Sequence, residues 1–76
     1  MGKRLVFDDL IKILPKGTLI NISFRAFGLL FKCEYDIEYV LKEARSLLKF
    51  ECEITNVTDS TVYVRIYGVS SLLDGR

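Results

Sequence analysis

The sequence predicts an α+β domain of order α-β-β-α-β-β, in which a four-stranded antiparallel or mixed sheet carries an amphipathic helix on one face. Three observations lead there. The chain has 76 residues, half of them hydrophobic, enough for one small core and too few for two. Four segments alternate apolar and polar residues with the period of a half-buried strand. Between the second and third of these lies one apolar stripe at three-and-four spacing, the mark of a helix packed on a sheet.

Residues Asp8 to Leu14 read as a short helix. Asp8 is a good N-cap, Asp9 adds negative charge to the first turn, and Leu10 and Leu14 share a face. Pro15 closes the helix and Gly17 supplies turn freedom. From Thr18 to Phe24 the alternation sets Ile20, Ile22 and Phe24 inward against Leu19, Asn21 and Ser23 outward. From Leu29 to Tyr35 it sets Leu29, Phe31, Cys33 and Tyr35 inward against Leu30, Lys32 and Glu34. Antiparallel partners must point to the same face, so even inward positions on one strand and odd ones on the other require an odd pair sum. Phe24 opposite Leu29 satisfies this and leaves Arg25-Ala26-Phe27-Gly28 as a four-residue hairpin loop.

Asp36 then caps a longer helix whose stripe is Ile37, Val40, Leu41, Ala44, Leu47 and Leu48, with Glu38 and Lys42 spaced for an ion pair. The stripe gives way to period two at Phe50, Cys52 and Ile54. The last strand is Thr61 to Tyr67, with Val62, Val64 and Ile66 inward and Tyr63, Arg65 and Tyr67 outward. Both inward sets are even, so the loop between these strands should hold three or five residues centred on Asp59. Three would set Glu53 opposite Arg65 and Thr55 opposite Tyr63; five would set Glu51 opposite Arg65. Residues 1–76 form a single domain, with 69–76 a flexible or partner-contacting tail.

Composition excludes several function classes. A net charge of +1 argues against a polybasic arm or an acidic nucleic-acid mimic. The absence of histidine removes Ser/His/Asp and Cys/His nucleophile systems and His-metal sites. Cys33 and Cys52 are the only cysteines, and they read as free thiols packed as small hydrophobes. No apolar run after the basic Met1-Gly2-Lys3-Arg4 is long enough for a signal peptide or membrane span, so the expected compartment is the cytoplasm. Asp8 and Asp9 are explained by the helix start, and Glu34, Asp36 and Glu38 are dispersed by alternation and capping. Phosphate-loop and dinucleotide glycine patterns do not occur. The expectation is a protein that is not an enzyme and has no metal or cofactor.

Two surface features remain. Tyr63, Arg65 and Tyr67 present aromatic, cation, aromatic on the outer face of the last strand, a row that can stack a base and pair a phosphate; Arg25 and Phe27 join it as candidate ligand-binding or interface residues. The competing reading is that Glu51 or Glu53 neutralises Arg65 across the hairpin. Second, Leu19, Leu30, Leu72 and Leu73 exceed what one sheet face and one helical stripe bury, and they are candidate oligomer contacts. The competing reading folds the first helix and the tail over the second face.

The stretch Val6-Phe7-Asp8-Asp9-Leu10-Ile11-Lys12-Ile13-Leu14-Pro15-Lys16-Gly17-Thr18-Leu19-Ile20-Asn21-Ile22, followed by a glycine-turned hairpin and a terminal apolar strand, resembles short uncharacterised proteins of phages and prophages of Gram-positive bacteria. The resemblance spans residues 6–67. Those relatives usually have a shorter middle, so the helix around Val40 to Leu48 is a departure, and no site residue carries over. The resemblance implies an accessory protein of a mobile element that acts by stoichiometric binding. The functional expectation is thus a homo-oligomeric phage-type protein that interferes with a bacterial defence system by blocking a host protein or sequestering a signalling nucleotide. Second comes a nucleic-acid-binding regulator using the same row with Arg25, Lys32 and Lys49; Glu34, Glu51 and Glu53 on that surface count against a polyanion.

Overall fold

A computed structural model describes residues 3–69. The elements are β1 (Arg4–Val6), α1 (Phe7–Ile13), β2 (Leu19–Ala26), β3 (Leu29–Asp36), α2 (Ile37–Glu43), a 3-10 turn (Arg45–Lys49), β4 (Glu51–Val57) and β5 (Thr61–Ile66). The fold is α+β, as expected, with a mixed sheet. That sheet has five strands in the order β1-β4-β5-β2-β3, not four; β2 and β5 are parallel and the other neighbours antiparallel.

The strand missing from the sequence reading is β1. It has three residues and only Leu5 points inward, opposite Cys52, so there is no alternation to see. Its presence moves the helix start. Val6 is still extended and occupies the cap position, with no side-chain cap, while Asp8 lies inside the first turn and pairs with Lys12 at 3.4 Å instead of capping. The Phe7 amide donates to the Phe50 carbonyl at 2.8 Å, which ties the start of α1 to the approach to β4.

Asp36 caps α2 as expected, its carboxylate accepting from the Tyr39 amide at 2.7 Å. The longer helix does not continue. At Ala44 the backbone leaves helical geometry and a 3-10 turn follows, so Leu48 is buried from a different element than Ile37 and Val40. Glu38 and Lys42 do not come within ion-pair distance; the helical i,i+4 pair is Asp8 with Lys12.

Both helices contribute to one core. Phe7, Leu10 and Ile11 from α1 and Ile37 and Val40 from α2 join Ile20, Ile22, Val62, Val64, Ile66 and Cys52 from the sheet. Since these sheet residues all belong to one face, α1 lies on the same side as α2 and does not cover the second face. The inward set predicted for the last strand is correct, and Tyr63, Arg65 and Tyr67 do point away from the helices. The strand itself ends at Ile66, and the Tyr67 amide still donates to Glu51 at 2.9 Å.

The first hairpin differs in register from expectation throughout, and the second keeps the expected three-residue loop and the pairing of Glu53 with Arg65 but departs near its turn. In the first, the pair sum is odd as required, but Ala26 faces Leu29 and Phe24 faces Phe31. The loop is therefore Phe27-Gly28 and not four residues; Arg25 and Ala26 belong to β2. Phe27 and Gly28 lie at φ 56° and 75°, as a two-residue type I′ turn demands at both centres. Phenylalanine is unusual there, because a Cβ in the left-handed region costs roughly 1–2 kcal/mol, and its side chain is 69% exposed. Phe27→Asn should therefore stabilise the fold by about 1 kcal/mol, read as a rise in Tm of roughly 4–8 °C in a thermal melt.

In the second hairpin, Thr58–Ser60 separate the strands and Glu53 faces Arg65, but Thr55 does not face Tyr63. Asn56 does, because Thr55 is the extra residue of a bulge. Near the turn Val57 faces Val62, an odd sum that would put the two strands' apolar sets on opposite faces; the bulge restores the even phase by Ile54 and Val64. Leu72, Leu73 and most of the proposed 69–76 tail lie outside the described residues, whereas Val69 is buried in the core.

Candidate anion-binding face

The second sheet face carries no helix among the described residues, and its centre is built by three neighbouring strands. Alternation sends Asn21, Ser23 and Arg25 of β2 outward beside Tyr63, Arg65 and Tyr67 of β5. The parallel register aligns Asn21 with Tyr63 and Ser23 with Arg65. On the other side of β2, Leu30 stands opposite Arg25 and Lys32 opposite Ser23. A groove of about 320 Å³ runs over this region, lined among others by Asn21, Arg25, Lys32, Tyr63 and Arg65. A second hollow of about 330 Å³ continues along the strand ends between Arg25, Arg65, Tyr67 and Gly68. Arg25 and Arg65 line both.

The electrostatics follow from where the acidic groups are spent. Glu51 Oε1 pairs with Arg4 Nη1 at 3.2 Å, and the Arg4 guanidinium lies 3.8 Å over the Tyr67 ring. The Tyr67 hydroxyl donates to Glu53 Oε1 at 2.5 Å. Glu53 faces Arg65 in backbone register but is held by Tyr67, and Arg65 forms an ion pair with neither glutamate. Among the described residues no carboxylate comes within 4 Å of Arg25, Lys32 or Arg65. The groove therefore presents three cations and no acidic lining residue. Two of the hydroxyls around it are already used: Ser23 donates to the Val64 carbonyl and Thr55 to the Tyr63 carbonyl, both at 3.3 Å.

The row anticipated from sequence is thus brought together, but its members differ. Tyr63 lies beside Arg65 in the groove. Tyr67 is anchored, with one ring face under Arg4 and its hydroxyl on Glu53. Phe27 sits at the hairpin tip, outside both hollows, and Lys49 lies at the 3-10 turn with its ammonium 5.6 Å from the Phe50 ring centre. Leu30 is exposed and lines the groove, whereas Leu19 is half-buried. Asn21 and Arg4 escaped sequence reasoning, because their roles depend on β2 lying parallel beside β5 and on the unforeseen β1.

Other chemistry finds no constellation. Glu34, Asp36 and Glu38 are spread over a strand face, a cap and a helix turn, and among the described residues no three acidic or cysteine side chains gather as a metal site would require. Cys52 is wholly buried, and desolvation raises its thiol pKa to about 11 from an ordinary value of 9.0. Its neutral form is favoured by folding, so the contribution of this thiol to stability is level below pH 9 and falls between pH 9 and 11 as the unfolded thiol ionises first. Iodoacetamide should spare Cys52 in the native protein and label it only after denaturant, as mass spectrometry of the adducts would show. Among the described residues no helix is long and apolar enough to cross a membrane. No family model, curated protein or solved structure matches this chain.

Proposed function

We propose that the protein is a non-enzymatic binding protein whose open sheet face captures a phosphate-bearing nucleotide, holding it stoichiometrically. The observation that carries this reading is the convergence of Arg25, Lys32 and Arg65 on one groove, with no carboxylate among its lining residues and Tyr63 beside them. A guanidinium pair can grip phosphate oxygens through charge-assisted hydrogen bonds, and an adjacent phenol ring can stack a base. The groove volume lies at the small end of ligand pockets, suited to one nucleotide unit. Action in the cytoplasm, against a bacterial defence system, rests on the resemblance to short phage proteins and on the kind of ligand this groove would take.

A second reading, a single-stranded nucleic-acid platform, is favoured by one specific feature: the groove continues past Arg65 into the hollow beside Tyr67, giving a track longer than one nucleotide. Titration of the purified protein with ATP and separately with an oligothymidylate, followed by tyrosine fluorescence at low and high salt, separates them. Saturation by ATP at one equivalent per chain supports capture of a nucleotide. Binding of the oligomer alone, weakening steeply with salt, supports the platform. Failure of both ligands at low salt would refute the anion-binding reading.

A further inference from the structure

β3 is the outer strand at one end of the sheet, hydrogen-bonded to β2 alone. It pairs with β2 over eight consecutive residues with no register shift, and it contains no proline. Natural proteins usually blunt such an edge with a bulge, a proline, a short strand or charged side chains, because its unpaired backbone groups are a template for another chain; of these β3 has only charges, and they are of both signs. Here the edge is also apolar at its far end: Leu29 is 59% exposed and Leu30 and Phe31 are exposed too. Leu29 and Phe31 belong to the core face, where Phe31 stacks on Phe24 with ring centres 5.3 Å apart, yet the helices do not cover them.

We infer that this edge pairs with β3 of a second copy, antiparallel about a twofold axis normal to the sheet, to give one continuous ten-stranded sheet. The strand's own charges select that occupant and its register. Core-face residues must meet core-face residues, so odd positions oppose odd and even oppose even. With Cys33 opposite the partner's Cys33, Lys32 meets the partner's Glu34 and Glu34 meets the partner's Lys32. Phe31 then meets the partner's Tyr35 on the helical face. A slip of one pairing step, two residues in the sum, sets either Lys32 against Lys32 or Glu34 against Glu34, and like charges directly opposite destabilise an antiparallel pair. Only the Cys33-centred register near the strand's middle gives two opposite-charge pairs and an aromatic pair on each side of the axis. The readout here is mass and not ligand binding, but Lys32 belongs to both features: the dimer sets the partner's Glu34 opposite one of the groove's three cations.

Light scattering coupled to size-exclusion chromatography at tens of micromolar should give twice the 8.7 kDa chain mass. Lys32→Glu and Glu34→Lys, both exposed and harmless to the core, should each weaken the dimer about tenfold or more, and the double exchange Lys32→Glu with Glu34→Lys should restore it. Diamide should join the chains through Cys33, taking two electrons and two protons from the facing thiols as the sulfur–sulfur bond forms, because directly opposed strand residues lie within disulfide reach. Cys33→Ser should abolish that product. A monomeric wild type would overturn the inference. A dimer indifferent to both charge reversals, or one the double exchange fails to restore, would overturn the β3 interface.

Discussion

Arg65→Ala is expected to lower nucleotide affinity by about 10- to 100-fold while leaving the melting temperature within a degree or two. The two halves of that expectation have separate causes. Arg65 is exposed near the C-terminal end of β5, pairs with no carboxylate among the described residues and lines both hollows of the open face, so the fold loses little with its guanidinium. A charge-assisted hydrogen bond to phosphate is worth about 1.5–3 kcal/mol, which converts to that range of affinity. Arg25→Ala should act in the same direction, and Tyr63→Ala should remove a stacking contribution of roughly 1–3 kcal/mol. Glu53→Gln should be nearly silent in binding, because Glu53 is engaged by the Tyr67 hydroxyl and not by Arg65. Isothermal titration of the four variants with ATP checks the pattern; equal losses in all four would mean that the groove is not where the ligand sits.

Ile22→Ala is expected to destabilise the fold by about 2–5 kcal/mol, the usual cost of emptying a buried aliphatic site. Ile22 is fully buried at the centre of β2, paired with Val64 on one side and Cys33 on the other, beneath the helical layer. A core of this size commonly supplies no more than about 3–5 kcal/mol, so this one substitution should leave a large unfolded fraction at room temperature. Leu30→Ala, one strand away but on the exposed face, should change stability by less than about 0.5 kcal/mol. Urea unfolding followed by circular dichroism compares the two. A mild effect at Ile22 would mean that the two helices do not close a single core over this face.

The contrast between those two residues also marks what could be read from the sequence. Period-two alternation placed Ile22 inward and Arg65 outward correctly, because side-chain direction in a strand is a local property. Asp36 as a helix cap was equally legible, since capping is decided within three residues. β1 was not, because three residues with a single inward Leu5 carry no period and gain their strand geometry only from β4. The bulge at Thr55 was invisible for a related reason: parity required an even sum beyond it, but not that the chain would reach that sum by an odd turn plus an extra residue. The long apolar stripe from Ile37 to Leu48 concealed the break at Ala44, as a 3-10 turn can continue to bury residues of a helical pattern.

The candidate site divides in the same way. The Tyr63, Arg65, Tyr67 row was apparent from β5 alone, whereas the fate of the glutamates was not. Glu51 and Glu53 lie on the same face as Arg65 in any reading of the hairpin, and simple cross-strand pairing would have neutralised it. β1 changes this by delivering Arg4 to Glu51 and to the Tyr67 ring, and Tyr67 in turn holds Glu53. A strand of three residues thereby leaves Arg65 without an acidic partner among the described residues and joins it to Arg25 and Lys32 across the parallel β2 and β5 pair.

The most direct test of the anion-binding face is a nitrogen–proton NMR titration of the labelled protein with ATP in low salt. Shifts concentrated at the amides of Asn21, Ser23, Arg25, Lys32, Tyr63 and Arg65, saturating at one ligand per chain, are the predicted result. Shifts confined to α1, α2 and the 3-10 turn, or none at all up to millimolar ATP, would contradict it.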